Sequence, residues 1–313
     1  VVMYAVWDLW MGIDSQILSQ LPWGLPDALH SNPFVCALFP AESCPDPRAQ
    51  GFPLWVYYAT LAVLGPGMYL VFATGISWAT GEWKGARAGE FRKEVATSLV
   101  ALSASMPYAA LNFKLVLEGK VGYLTSSTED WTALHHAASV VWFVVLADFW
   151  VYWTHRMFHE VPLLYRKSHA VHHASRPSTT FAAGSADALE LMFQGENHLF
   201  FPLLFCSMHP AVFVIVSSLA QLWTCFLHSN QRHRLWGVVD PWTHSIHHYY
   251  GQQNGNYAQY FKCWDYAMGT YLDGVKVPPP FARGEPMEKI THAAPWGQLV
   301  AAAGWMCLKS LLW

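Results

Sequence analysis

Residues 55–81 carry no charged side chain. That run of 27 residues exceeds the roughly 20 that cross a hydrocarbon core as a helix, so it predicts a membrane span. Gly65, Pro66 and Gly67 lie inside it and predict a kink, which membrane helices tolerate. The same pattern predicts a second span over 95–117, interrupted by Pro107, and a third over 132–154. Residues 199–227 are apolar again over 29 positions, with His209-Pro210 in the middle. Residues 299–313 are apolar but only 15 long and contain Lys309, which predicts an interfacial or docking helix rather than a crossing.

The polar stretches lie between these runs. Residues 1–54 hold Pro22, Pro26, Pro33, Pro40, Pro45, Pro47 and Pro53 and predict short interfacial helices and loops outside the bilayer. The chain starts at Val1, and nothing there reads as a signal peptide. Residues 155–198 and 229–298, the latter with Pro278–Pro280, are polar enough to form a cap outside the membrane. Orientation follows the Lys and Arg distribution. Residues 1–54 hold one (Arg48), the connector 82–94 holds four (Lys84, Arg87, Arg92, Lys93), and the loop 118–131 holds one (Lys120). Arg156, Arg166, Lys167 and Arg176 follow the third span. The alternation puts the cap in the cytoplasm.

Composition agrees. Charged residues are 12% and apolar residues 53%, against roughly 25% charge in a soluble domain. The net charge of −3 gives no case for nucleic-acid binding. Six cysteines without a CxxC suggest neither a thiolate zinc site nor a redox motif. Cys36 and Cys44 in the Pro-rich loop either pair in an oxidising compartment or stay free.

The chemistry sits where the third span meets the cap. Asp148 to His173 reads DFWVYWTHRMFHEVPLLYRKSHAVHH, with His155, His159, His169, His172 and His173. His244, His247 and His248 repeat the HxxHH spacing. Residues three or four apart share a helix face, so His155 and His159 form one ligand pair and each triplet presents at least two rings together. A lone buried histidine is an ordinary core residue. Eight in three spaced clusters point to a site with more than one metal ion, since neutral imidazole suits iron, zinc, copper and nickel. The clusters flank 199–227, and one shared site requires that run to be a hairpin turning near His209-Pro210. Asp148 and Tyr152 share a stripe with His155, so Asp148 is expected to accept a hydrogen bond from a liganding ring and fix its tautomer. The bland reading pairs Asp148 with a nearby Arg or Lys. Trp142, Phe143, Phe149, Trp150 and Trp153 either line an apolar tunnel or form membrane packing and an aromatic belt. The fold class is thus an all-α integral membrane protein. It has about four transmembrane helices, one pair a hairpin, and a cytoplasmic histidine-rich metal-binding cap.

The order HRMFH, HAVHH, apolar hairpin, HSIHH resembles the fatty acid hydroxylase/sterol desaturase superfamily of membrane di-iron oxygenases. Asp148, Tyr152, Leu164-Tyr165, Asn256, Trp264-Asp265, Gly269-Thr270 and Asp273-Gly274 extend the resemblance over about 145–275. The third-box region is similar to sphingoid-base C4-hydroxylases and sterol C4-methyl oxidases, and Phe181 and Glu190 lean toward the former. The resemblance implies the ligands His155, His159, His169, His172, His173, His244, His247 and His248, with His228 as a ninth. It implies two iron ions, dioxygen, and hydroxylation or desaturation of an unactivated C–H bond in a lipid. Asp148, Tyr152 and Asn256 are the candidate catalytic side chains outside the ligand set. Asn256 and Asp265 are also expected to hold the cap together. Asp187, Glu190, Glu196 and Asn197 read singly as solvated cap residues, one of them a candidate ligand or holder of a metal-bound water. His233 reads as surface, and His30, His135, His136, His209 and His292 as structural.

No CxxCH or GxGxxG is present, and His209-Pro210 is followed by Ala211 rather than the glycines of a fused cytochrome b5 domain. Electrons must then come from an external cytochrome b5-like or ferredoxin donor, which Arg156, Arg166, Lys167, Arg232 and Arg234 are placed to meet. Homo-oligomerisation stays open. The rival class is a zinc-binding membrane hydrolase or metal carrier, since zinc also suits imidazole. Transport would want ionisable groups at mid-membrane, and these histidines lie at span ends. A relative that cleaves a fatty aldehyde or ether lipid is a third reading. Location is the endoplasmic reticulum membrane in a eukaryote or the inner membrane in a bacterium.

Overall fold

Helix α1 spans Leu54–Ala79, α2 Ala88–Leu117, α3 Ala133–Glu160 and α4 Pro210–Leu227. All four are long and apolar enough to cross a membrane. The computed structural model describes residues 51–84, 88–121, 123–124, 132–176, 178–229, 231, 234–250 and 255–272. Expectations for residues 1–50 (His30, Cys36 and Cys44 among them), Arg232, His233 and 273–313 (Asp273-Gly274, Pro278–Pro280, His292, the docking helix) lie outside the described residues. Val63, Val71 and Val100 are 72%, 67% and 71% exposed on α1 and α2, which suits side chains that meet lipid rather than water.

Pro66 and Pro107 lie inside α1 and α2 without ending them. α3 starts on the side chain of Thr132, which accepts the His135 N–H. It runs six residues past the expected end at 154, to Glu160. Its 28 residues make about 42 Å of helix. That exceeds a hydrocarbon core of about 30 Å, so the turns carrying His155 and His159 reach past the apolar layer.

The chain turns at His209-Pro210, but the expected pair of helices over 199–227 is reduced to one, α4. From Glu190, beside His169, the chain runs back along α3 as short turns: Ala188–Glu190, the π-helical Leu191–Glu196, Asn197–Phe200 and Phe201–Leu204. Trp150 Nε1 donates to the Phe193 carbonyl at 2.7 Å, and the Phe201 ring lies 4.7 Å from Trp150. Further along, Phe200 and Leu203 join Phe143, Phe213 and Val116 in the largest apolar cluster. Then β2 (Ser207–Met208) pairs in parallel with β1 (Tyr123–Leu124) from the loop after α2, a small departure from an all-helical chain. The turn falls at His209-Pro210, where the His209 ring accepts the Ala211 N–H at 3.2 Å and Pro210 begins α4. The outgoing limb is no membrane helix, for Glu190, Gln194, Glu196 and Asn197 are too polar to face lipid and Pro202 lacks an amide hydrogen.

The segment after the second box is clipped to α1 and α2 by polar contacts. Glu82 accepts the N–H and hydroxyl of Thr180 at 3.1 and 2.5 Å, Glu94 accepts the Thr179 hydroxyl, and Tyr69 donates to the Phe181 carbonyl at 2.7 Å. Gly184 belongs here because a Cβ would sit 3.0 Å from the Tyr69 ring and 3.1 Å from Ser98. Among the described residues the cap holds two more helices, α5 (Pro241–Tyr250) and α6 (Cys263–Met268). Asp240 caps α5 reciprocally with Thr243 and is paired at 2.5 Å with buried Lys262.

Candidate metal centre

The final turns of α3 place His155 and His159 one turn apart on its buried face. The second box is not one α-helix. A π-helical turn over Tyr165–His169 runs into Ala170–His172, and His173 ends it. α5 carries the third box, and His228 caps the C-terminus of α4.

These elements bring all nine expected ligands together in two groups. His155, His159, His169, His173 and His247 form one, and His172, His228, His244 and His248 the other. Within each group one ring nitrogen from every histidine lies within 4.8 Å of all the others, and every ring is buried. The sequence clusters are not the groups. In each HxxHH triplet the outer pair, four residues apart, joins one group and the remaining histidine joins the other. The second box gives its pair to the five-membered group and the third box gives its pair to the four-membered one. The two groups adjoin, with His173 and His248 rings 4.7 Å apart and His172 and His173 rings 5.6 Å apart.

Four of the outward ring nitrogens are held by backbone carbonyls. His155 Nδ1 lies 2.9 Å from the Tyr257 carbonyl, His247 Nδ1 2.8 Å from Gly255, His172 Nδ1 3.2 Å from Ser185 and His228 Nδ1 2.8 Å from Thr224. A carbonyl only accepts, so each Nδ1 carries the hydrogen and each Nε2 presents a bare lone pair. The Nε2 atoms of His172 and His228 nevertheless face each other at 3.3 Å. Among the described residues, buried His155 Nε2 and His247 Nε2 have no hydrogen-bond partner. Stranded acceptors of this kind cost about 1–3 kcal/mol each, and a cation between them removes the cost. The donor set therefore fits metal ions that favour imidazole.

Burial keeps the rings outside the spans neutral. It lowers His172 to about 4 and His228 to about 3, the latter helped by the His172 charge. It holds His169, His173, His244, His247 and His248 well below the ordinary histidine range, with neighbouring imidazoles adding to the effect. Neutral rings are what a metal binds.

The expected role of Asp148 is corrected. It is fully buried and accepts the backbone N–H groups of Gln259, Tyr260 and Phe261 at 3.1, 2.8 and 3.1 Å, not an imidazole and not a cation. Among the described residues, the carboxylate that meets a candidate ligand ring is Glu190, with Oε1 at 2.9 Å from His169 Nδ1 and the residue 4% exposed. Glu190 is therefore no solvated cap residue, and burial, followed by nearby Asp187, raises its carboxyl well above the ordinary range. Asp187 caps Leu189 and accepts from Ser168, and Asn197 accepts from Tyr108.

Tyr152 lies in the expected stripe but contacts no ring nitrogen. Its hydroxyl bonds Thr270 at 3.0 Å and accepts from Arg156 at 3.3 Å. Asn256 holds the cap as expected, donating to the Thr243 and Leu272 carbonyls and accepting the Leu272 N–H, at φ 57°. Asp265 accepts from Tyr257 N and Ala258 N. His135, His136 and His209 belong to neither group. Sequence reading passed over His198, which is buried on the outgoing limb. It also missed the Tyr257 ring, which packs 5.1 Å from His159 and 5.6 Å from His155. Of the aromatic set, Phe143 is core at 1% exposure while Trp142 is 55% exposed, which fits packing and belt roles for those two.

A helical membrane scaffold that carries two adjoining groups of buried imidazoles defines a histidine-box membrane protein. Residues 140–270 match the family model described as Fatty acid hydroxylase. Over that region the chain is similar to the fatty acid hydroxylase/sterol desaturase superfamily. It is 28% identical to the Delta(7)-sterol 5(6)-desaturase of Gibberella zeae over 58% of this chain and 52% of that protein. It is 28% identical to the lathosterol oxidase of Homo sapiens over 42% and 44%. It is 29% identical to the Delta(7)-sterol-C5(6)-desaturase of Nicotiana tabacum over 43% and 49%. The chain thus spans about half the length of the curated relatives it matches. No solved structure matches it.

Proposed function

We propose that this protein is a membrane-bound di-iron oxygenase that desaturates or hydroxylates a lipid, with sterols the first class to test. One observation carries the reading: nine imidazoles from four separate elements converge as two adjoining groups at the end of a membrane helix bundle. The names of the relatives support an oxidised sterol substrate.

When bound, a pair of iron ions supplies the redox chemistry that couples dioxygen reduction to removal of hydrogen from an unactivated C–H bond. In a desaturation two hydrogens leave the lipid, an external donor adds two electrons with two protons, and dioxygen becomes two waters. In a hydroxylation one oxygen atom enters the lipid and the other leaves as water. The chain's part is to hold and orient. The Tyr257, Gly255, Ser185 and Thr224 carbonyls lock four rings with Nε2 inward. Burial of every ligand excludes bulk water. Exposed Arg166, Lys167 and Arg176 flank the second box and suit an acidic electron donor. The centre faces the cytoplasm, in the endoplasmic reticulum membrane of a eukaryote or the inner membrane of a bacterium.

The test combines iron quantitation of anaerobically purified protein with donor-dependent oxygen uptake in the presence of sterols and other lipids. Mass spectrometry of lipid extracts would identify the product, with His172→Ala as the inactive control. The expected result is about two irons per chain and a lipid that differs by two hydrogens or one oxygen. Iron-loaded protein that consumes no oxygen with any reduced donor and lipid rejects the proposal, as does zinc-dependent hydrolysis in its place.

A further inference from the structure

The two groups differ in what steadies their rings. In the five-membered group, His155 and His247 both lean on carbonyls of one short loop, those of Tyr257 and Gly255. Residues 255–260 of that loop have no helix or strand of their own. Two buried carboxylates hold it instead. Asp148 on α3 takes the N–H groups of Gln259, Tyr260 and Phe261, and Asp265 on α6 takes those of Tyr257 and Ala258 at 2.9 and 3.0 Å. Thr270 donates to Asp265 at 2.8 Å. In the four-membered group the corresponding carbonyls are Ser185, on the segment clipped to α1 and α2, and Thr224, inside α4. The loop touches α4 through Trp223 and the Thr224 hydroxyl, but the Thr224 carbonyl is set by the helix itself.

We propose that Asp148 is a positioning residue for the five-histidine group alone: by gripping the 259–261 backbone it keeps the Tyr257 and Gly255 carbonyls on His155 and His247. This rests on the reading that both groups hold metal. Asp148 lies two turns from His155 on the same helix, so helix and loop are joined at one end by the carboxylate and at the other by the ring. Without that grip the loop loses three hydrogen bonds. His155 and His247 can then turn or change tautomer, while His172 and His228 keep their carbonyl supports.

Cobalt(II) is the probe, because its uptake can be counted and its visible absorption reports its ligands. Chelator-stripped full-length protein in detergent is titrated with it. Wild type should take two ions per chain and Asp148→Ala one. In a His155→Ala background, adding Asp148→Ala should leave the count unchanged; in a His172→Ala background it should take one to none. Asp148→Asn keeps the Oδ1 acceptor used by Gln259 and Tyr260 and should restore most of the lost uptake. If Asp148→Ala does not fold by size exclusion, Thr270→Val, which loosens Asp265, should weaken one site about tenfold and spare the other. Equal loss at both sites, or at neither, overturns the inference. Wild type that takes fewer than two ions overturns the paired metal centre and this inference with it.

Discussion

Removing the Glu190 carboxylate should weaken one metal site and spare the other. Glu190 Oε1 lies 2.9 Å from His169 Nδ1 with both side chains almost fully buried, so neither has water as a substitute partner. A hydrogen bond to a charged group contributes about 1.5–3 kcal/mol and a neutral one about 0.5–1.5 kcal/mol. Burial favours the neutral Glu190 carboxyl in the metal-free protein, whereas a cation held by His169 favours the ionised form; Glu190→Gln keeps an oxygen that can accept from Nδ1 but cannot take up that charge. The difference of about 1–1.5 kcal/mol corresponds to roughly tenfold in affinity. Glu190→Leu loses the 2.9 Å contact as well, which brings the loss toward about 100-fold, the upper range for a residue that supports a ligand. The assay is competition between the purified protein and a chromophoric chelator, resolved into two binding steps. The expected order is wild type, Gln, Leu, with only the five-histidine step moving. Equal affinities for all three, or parallel loss in both steps, would refute the role given to the carboxylate.

Other measurements follow from the same geometry. His228→Ala should cut metal uptake by one ion per chain and activity by at least about 100-fold, as expected when one of four ligands is lost; full uptake would remove His228 from the centre. The metal-free protein should lose stability as pH falls below about 6.5, the value of an unfolded histidine. There the unfolded chain takes up protons that the buried rings refuse until pH approaches about 4 at His172 and about 3 at His228. Melting of chelated protein from pH 8 to 5 checks this, and a flat melting temperature contradicts it. Gly255→Ala would put a Cβ 2.5 Å from the Thr270 carbonyl oxygen and from Leu272. It should destabilise by about 1–3 kcal/mol, read as a lower melting temperature.

Much of this architecture was legible from local pattern. An uncharged run long enough to cross a bilayer is a property of consecutive residues, so α1, α2, α3 and α4 could each be anticipated to within several residues. Histidine spacing likewise marked eight candidate ligands, and the family resemblance added His228. All nine lie in the two groups that could hold a metal ion, and one shared centre required a turn at His209-Pro210, which the structure contains. Apart from His228, those inferences needed only helix periodicity and the cost of polar groups in lipid.

Partition of the ligands needed the tertiary structure. The sequence shows three boxes, but the groups cut across them. Which ring of an HxxHH triplet faces which neighbour depends on how the π-helical turn at Tyr165–His169 and α5 sit against α3. The carboxylates were misjudged for a similar reason. Asp148 shares a helical stripe with His155, yet a loop 111 residues further on reaches its oxygens first. Glu190 looked like a solvated cap residue until the chain folded it onto His169. Sequence spacing reports neighbours along one helix, whereas a hydrogen bond goes to whichever partner the packing of distant segments brings within about 3 Å.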